Sequence, residues 1–301
     1  MLIAGALVAL QSQINGTLAG RLGDGPRAGI GAAVISFGTG LVILAVLTLL
    51  VPRLRATAVQ FHGSVRRGEL RPAEIVGGLF GAFLVATQGI TVGTIGVALF
   101  SVALTAGQAV SALAVDHLGI GPAGRQPLAP PRVIAAVFAV AAVVLATWSR
   151  LAAHLSGLVL FFALLAFFAG AGSSVQQAIN GRVSQHVGPW MTTLNNFVVG
   201  TSALVVVFVV SLLAHGHLHA LPHAWWLYVG GPIGMCFIWL AALLVRVYGV
   251  LVLGLSMIAG QVIGAQVIQS VSDHHAVPTS GILAAALTVL GVIVALVMRK
   301  R

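Results

Sequence analysis

Apolar residues along this chain fall in long runs separated by short polar or basic stretches. A helix that crosses a bilayer needs about 20 mostly apolar residues. Ten runs of that kind can be read, at residues 1–18, 28–51, 74–94, 97–117, 132–148, 156–179, 191–214, 225–245, 250–271 and 279–298. The pattern predicts an all-α integral membrane protein with ten transmembrane helices.

The runs carry an internal repeat. Gly77, Gly78, Gly81, Gly96, Gly107 and Gln108 recur as Gly230, Gly231, Gly234, Gly249, Gly260 and Gln261 at a constant offset of 153. Upstream, Gln11, Asn15 and Gly16 match Gln176, Asn180 and Gly181 at an offset of 165. Phe37 and Gly40 match Phe197 and Gly200 at an offset of 160, so the intervening loop is five residues shorter in the second copy. The repeat divides one transmembrane domain into residues 1–150 and 151–301, with five spans in each. An odd number of spans per copy inserts the second copy upside down, as in many secondary transporters.

Composition excludes a soluble globule. Hydrophobic residues make up 59% of the chain, charged residues 7%, and mean hydropathy is +1.07. A soluble domain carries about 25% charged residues. The net charge of +10 could point to nucleic acid, but the basic residues lie between apolar runs, so it reads as topology. Twelve Lys and Arg fall on the side that holds both termini, against three (Arg21, Arg27 and Arg150) on the other. Positive loops stay inside, which predicts a multi-pass protein of the bacterial cytoplasmic membrane with cytoplasmic termini. The single cysteine, Cys236, lies in an apolar run and can form no intrachain disulfide. Met1 opens directly into the first run without a basic segment, which argues against a signal peptide and leaves the true start open.

The stretches LQSQINGTLAGRLG, ISFGTGLVIL, IVGGLFGAFLVATQGITVGTIGVALFSVALTAGQAVSALAVDHLGI and YVGGPIGMCFIWLAALLVRVYGVLVLGLSMIAGQVIG resemble the drug/metabolite transporter superfamily, in its YdcZ-type bacterial ten-span branch. The likeness covers essentially the whole chain. It implies a ten-helix fold of inverted five-helix halves and the export or uptake of small metabolites, without naming a substrate. The Asp116–His117 pair is not repeated in register, because the strict offset maps it onto Gln269–Ser270.

Polar side chains inside a spanning helix are costly and mark packing contacts or a pathway. Gln11 and Asn15 share one helical face, as do Gln176 and Asn180. Gln108 and Gln261 fall at mid-span, where repeat transporters bind solutes. Amides donate and accept at once, so these six, with Ser101, Thr105 and Ser256, are candidates to bind a neutral or zwitterionic solute. They could instead join helices through hydrogen bonds. For Asn15 and Asn180, capping or water near a helix end is the favoured reading. Gly77 with Gly81, and Gly230 with Gly234, have the GxxxG spacing that lets helices approach closely.

The five acids all fall in loops or at span ends. Glu74 follows Pro72 in a first helical turn, where an acid offsets the helix dipole. Asp116 is the nearest candidate for a coupling acid, set against a role as interfacial anchor or cap. The histidines His154, His215, His217, His219, His223, His274 and His275 gather on one face, and a solvated loop is preferred there to a metal site. No catalytic motif or nucleotide loop appears, so no enzyme, cofactor or metal is expected. The partners expected are a small-molecule substrate and the lipid bilayer, with no nucleic acid, and a homodimer is left open. The function expected is a secondary transporter working by alternating access; a non-transporting scaffold and a channel-like facilitator are the alternatives.

Overall fold

A computed structural model describes residues 1–147, 157–213, 217–273 and 279–297. Among these the elements are α1 (Leu2–Leu22), α2 (Pro26–Leu50), α3 (Pro52–Arg66), α4 (Pro72–Ile75), α5 (Gly78–Leu118), α6 (Pro130–Thr147), α7 (Gly157–Ser211), a single 3-10 turn (Trp225–Tyr228), α8 (Gly230–Asp273) and α9 (Thr279–Val297). One end residue of each of the expected runs 132–148, 156–179, 191–214 and 279–298 lies outside the described residues, and His154, His215, His274 and His275 lie outside them altogether. Five helical stretches are long and apolar enough to cross a membrane, and shorter apolar helices occupy Gly78–Gln88, Pro130–Ala141 and Ile282–Val294. The protein is a multi-pass membrane protein.

Three of the helices exceed a bilayer. At 1.5 Å per residue, the 55 residues of α7 would span about 80 Å if straight, against an apolar core of about 30 Å. Both α7 and α8 break at a glycine: Gly188 has φ 78° and ψ 164°, and Gly249 has φ 79° and ψ 173°. A side chain would be strained at that backbone conformation, whereas glycine adopts it freely. The two arms of α7 fold back on each other, since Gln176 and Asn180 both hydrogen-bond Asn196 beyond the break. The two ends of α5 also meet: Arg182 pairs with Glu74 just before it and donates to the carbonyl of Gly119 just after it. A straight helix of 41 residues would hold its ends about 60 Å apart, so the chain turns back within α5, where the runs read at 74–94 and 97–117 adjoin.

Contacts on the two halves match pairwise. A Cβ on Gly107 would strike the Phe167 carbonyl, and one on Gly170 the Leu104 carbonyl. Gly260 meets Leu2, and Gly5 meets Met257, in the same way. These are the same positions at the offsets of 153 and 165 found in the sequence. Helix α1 thus packs against α8 as the first arm of α7 packs against α5. Without a hydrophobic drive in lipid, such backbone approaches provide the close packing that holds helices together.

One element was not anticipated. The basic stretch after the second run forms helix α3, whose Leu54, Ala58, Phe61 and Val65 lie on one face at helical spacing while Arg55, Val59, His62 and Arg66 are exposed on another. Ala58, Phe61 and Val65 pack on a core cluster that includes Val183 and Val187, and Gln60 Nε2 donates to the His186 carbonyl at 2.9 Å.

Candidate functional site

The expected site residues gather in two seats built alike. In each, the Gln and Asn of a first helix lie over the GxxxG of the opposite half. Gln176 and Asn180 cover Gly81 and Gly77, where an added Cβ would come 3.0 Å from Gln176 Nε2 and 3.1 Å from Asn180 Oδ1. Gln11 and Asn15 cover Gly234 and Gly230 so closely that a Cβ on either glycine would overlap the amide. The glycine spacing thus makes room for amide side chains. Close helix approach is provided by their neighbours Gly78 and Gly231, which meet backbone atoms of α7 and α2.

Asn15 and Asn180 do not lie at helix ends, because α1 runs on to Leu22 and the first arm of α7 runs on to Gly188. Neither caps a helix. The two seats differ in how their polar atoms are satisfied. Beside the α7 seat stands Asn196, which donates to Asn180 Oδ1 at 2.7 Å and to the Thr192 carbonyl at 2.9 Å. Its own Oδ1 accepts from Gln176 Nε2 at 2.8 Å. At the same place beside the α1 seat stands Ser36, 2% exposed, and neither Ser36 Oγ nor Asn15 Oδ1 has a partner. Gln11 makes no side-chain hydrogen bond among the described residues either. Sequence reasoning passed over Ser36 and Asn196, although the offset of 160 that joins Phe37 to Phe197 joins these two as well.

The mid-span glutamines show the same contrast. Gln108 Nε2 donates to Ser173 Oγ at 3.4 Å, and Ser174 Oγ donates to the Gln108 carbonyl at 2.8 Å. The positions facing Gln261 by the offset of 165 are Val8 and Ala9, and Gln261 has no side-chain partner among the described residues. Ser256 is buried with an unpartnered Oγ, and Thr105 is buried, while Ser101 is half-buried. Gln108 also lines a closed cleft with Ala109, Ala112, Leu251, Gly254, Leu255 and Ile258, with no room for a water molecule and no ionisable group in its wall.

Asp116 lies at the end of α5 and is 2% exposed. Its Oδ1 accepts from the Val250 N–H at 3.1 Å and its Oδ2 from the Leu251 N–H at 3.0 Å. Those N–H groups open the arm after Gly249, where the helix supplies them no acceptor. Arg132 Nη2 completes an ion pair with Asp116 Oδ2 at 2.5 Å. Asp116 therefore caps a buried helix start. Glu74 Oε2 accepts from its own first-turn partner, the Arg71 N–H, at 2.8 Å, and Arg182 lies 3.4 Å from Oε1. Of the described histidines, His219 donates its backbone N–H to the Leu22 carbonyl at 2.7 Å, which holds that loop against the end of α1. Among the described residues no three His, Cys, Asp or Glu side chains converge as a metal site would require.

The fold is that of a multi-pass helical membrane protein with polar side chains seated between its helices. The chain belongs to the family described as "Putative inner membrane exporter, YdcZ", whose model matches residues 1–145 and 161–294. A solved structure titled "Crystal structure of protein" is similar over 100% of this chain and 95% of its own, with a TM-score of 0.64 and 18% identity. That likeness concerns the fold. No curated protein matches the chain.

Proposed function

We propose that this protein is a secondary carrier that moves a small neutral or zwitterionic metabolite across the inner membrane by alternating access. Ten crossings, arranged as two inverted five-helix repeats over residues 1–150 and 151–301 with cytoplasmic termini, form its frame. The observation that carries this reading is the pair of symmetry-related amide seats between the halves. Repeat transporters place their solute where the halves meet, and two like seats allow the halves to exchange roles. Matching contacts at Gly107 and Gly260, and at Gly170 and Gly5, support the repeat. The reversals at Gly188 and Gly249, with the meeting of both ends of α5 at Arg182, support the span count. Export is the direction in keeping with the family description.

Solute class follows from the side chains. The seats offer amides and hydroxyls, from Gln11, Asn15 and Ser36 in one and Gln176, Asn180 and Asn196 in the other. A solute of large net charge would be left uncompensated there, at a cost of several kcal/mol. Purified protein in liposomes, screened with neutral and zwitterionic metabolites, tests the reading. Saturable uptake with counterflow is expected. Linear flux would replace the carrier with a facilitator, and the absence of flux for every solute would leave a scaffold.

A further inference from the structure

We propose that the α1 seat binds its solute through a carboxamide-like group, an N–H donor beside a carbonyl acceptor, which takes the place that Asn196 fills in the α7 seat. The inference rests on the carrier reading and adds a substrate class to it. The protein's own symmetry supplies the template. In the α7 seat one carboxamide satisfies both neighbours, donating to Asn180 Oδ1 and accepting from Gln176 Nε2. In the α1 seat the corresponding groups, Asn15 Oδ1 and the Gln11 amide, have no partner among the described residues.

Ser36 stands where Asn196 would, and its side chain is shorter by the carbonyl and amino groups that do the bonding. The surrounding backbone is the same in both seats. The Ser36 carbonyl meets Gly231 as the Asn196 carbonyl meets Gly78, so the shortened side chain lies in an otherwise matched frame. Ser36 Oγ and Asn15 Oδ1 both point at Gly230, and Ser36 is 2% exposed. Buried polar atoms without partners are rare, and each calls for a ligand or ordered water. A solute amide here gives an N–H to Asn15 Oδ1, accepts from Gln11, and leaves Ser36 Oγ free to bond the rest of the molecule. The α7 seat is closed by its own side chain and binds nothing in this arrangement.

The test exchanges the two residues. Wild type, Ser36→Asn, Ser36→Ala and Asn196→Ser are purified in nanodiscs, and asparagine is the probe, with its side-chain dimethylamide as the analogue that lacks the N–H. Thermal unfolding and binding stoichiometry are measured for each. The expected results are a rise in wild-type Tm of several degrees with asparagine and none with the dimethylamide. Ser36→Asn melts higher without ligand and loses the asparagine response at least tenfold. Asn196→Ser melts lower and gains a second binding event. If Ser36→Asn does not fold, Ser36→Ala decides, with weakened asparagine binding expected. Asparagine binding that is absent in wild type, or unchanged in Ser36→Asn and Ser36→Ala, overturns the proposal and leaves the seat to water. Liposome flux separates the two readings: a protein that binds asparagine at this seat but carries nothing overturns the carrier reading alone.

Discussion

Asn196 bonds both amides of its seat, so its loss leaves two buried polar groups without partners. A buried group left unsatisfied costs about 1–3 kcal/mol, and membrane hydrogen bonds lie toward the low end, near 0.6 kcal/mol each. Asn196→Ala should therefore lower stability by about 1–2 kcal/mol, read by reversible unfolding in mixed micelles. Asn15→Ala should cost much less, because it removes an acceptor that already lacks a partner. Equal losses in the two variants would show that the seats are not asymmetric. Outside the spans, a hydrogen bond from the Arg67 guanidinium, with help from Ser64, holds the Glu69 carboxyl down from 4.5 to about 2. A depressed carboxylate contributes stability above its unfolded value of about 4.5 and loses it as pH falls toward 2. Arg67→Gln should return the Glu69 titration toward 4.5, as carboxyl NMR would show. The pair is fully exposed, so its effect on the fold is small and screened by salt.

Elements are held at their weak points by single side chains. The arm of α8 after Gly249 begins with N–H groups that the break deprives of carbonyls, and Asp116 satisfies two of them while Arg132 balances its charge. Removing one member of a buried ion pair costs about 3–5 kcal/mol, because the other charge is left uncompensated. Asp116→Asn should destabilise toward the lower bound, since the amide oxygen still accepts and Arg132 remains 17% exposed. Amide exchange at Val250 and Leu251 should rise ahead of exchange elsewhere in α8. A uniform rise along the helix would mean that the carboxylate does not act as a cap. The same bonds commit both carboxylate oxygens of Asp116 to holding an element.

For the molecule as a whole, the proposed frame puts α3 and the loop before the 3-10 turn on opposite faces of the membrane. Single cysteines at Arg66 and at His217, in a Cys236→Ser background, should label with an impermeant maleimide from opposite sides. Labelling from the same side would overturn the ten-crossing topology. A neutral seat and a capped Asp116 also predict flux that changes less than about twofold between pH 6 and 8, where histidine titrates. Strong dependence on a proton gradient, abolished by Asp116→Asn, would make Asp116 the coupling acid after all.

The membrane class was legible in the sequence, and so was the repeat of glycines and amides, because lipid forces long apolar runs and repeat offsets can be counted. Gln11, Asn15, Gln176 and Asn180 stand out as polar side chains in such runs, and Gly77, Gly81, Gly230 and Gly234 by their spacing. Breaks between the runs at 156–179 and 191–214, and between those at 225–245 and 250–271, were legible, and Gly188 and Gly249 fall there; which residue makes each break was not, since a glycine's φ depends on its surroundings and glycines fill this chain. Helix α3 escaped as well, because a short basic helix looks like a loop until a neighbour receives its apolar face. Only the tertiary structure showed that each amide pair lies against the glycines of the other copy, that Asp116 caps a distant arm, and that one seat's amides are bonded by Asn196 while the other's have no partner among the described residues. Sequence spacing records which residues are alike; whether a hydrogen bond is satisfied depends on what stands opposite, which Asn196 finds across the break in α7 and the Ser36 hydroxyl does not find among the described residues.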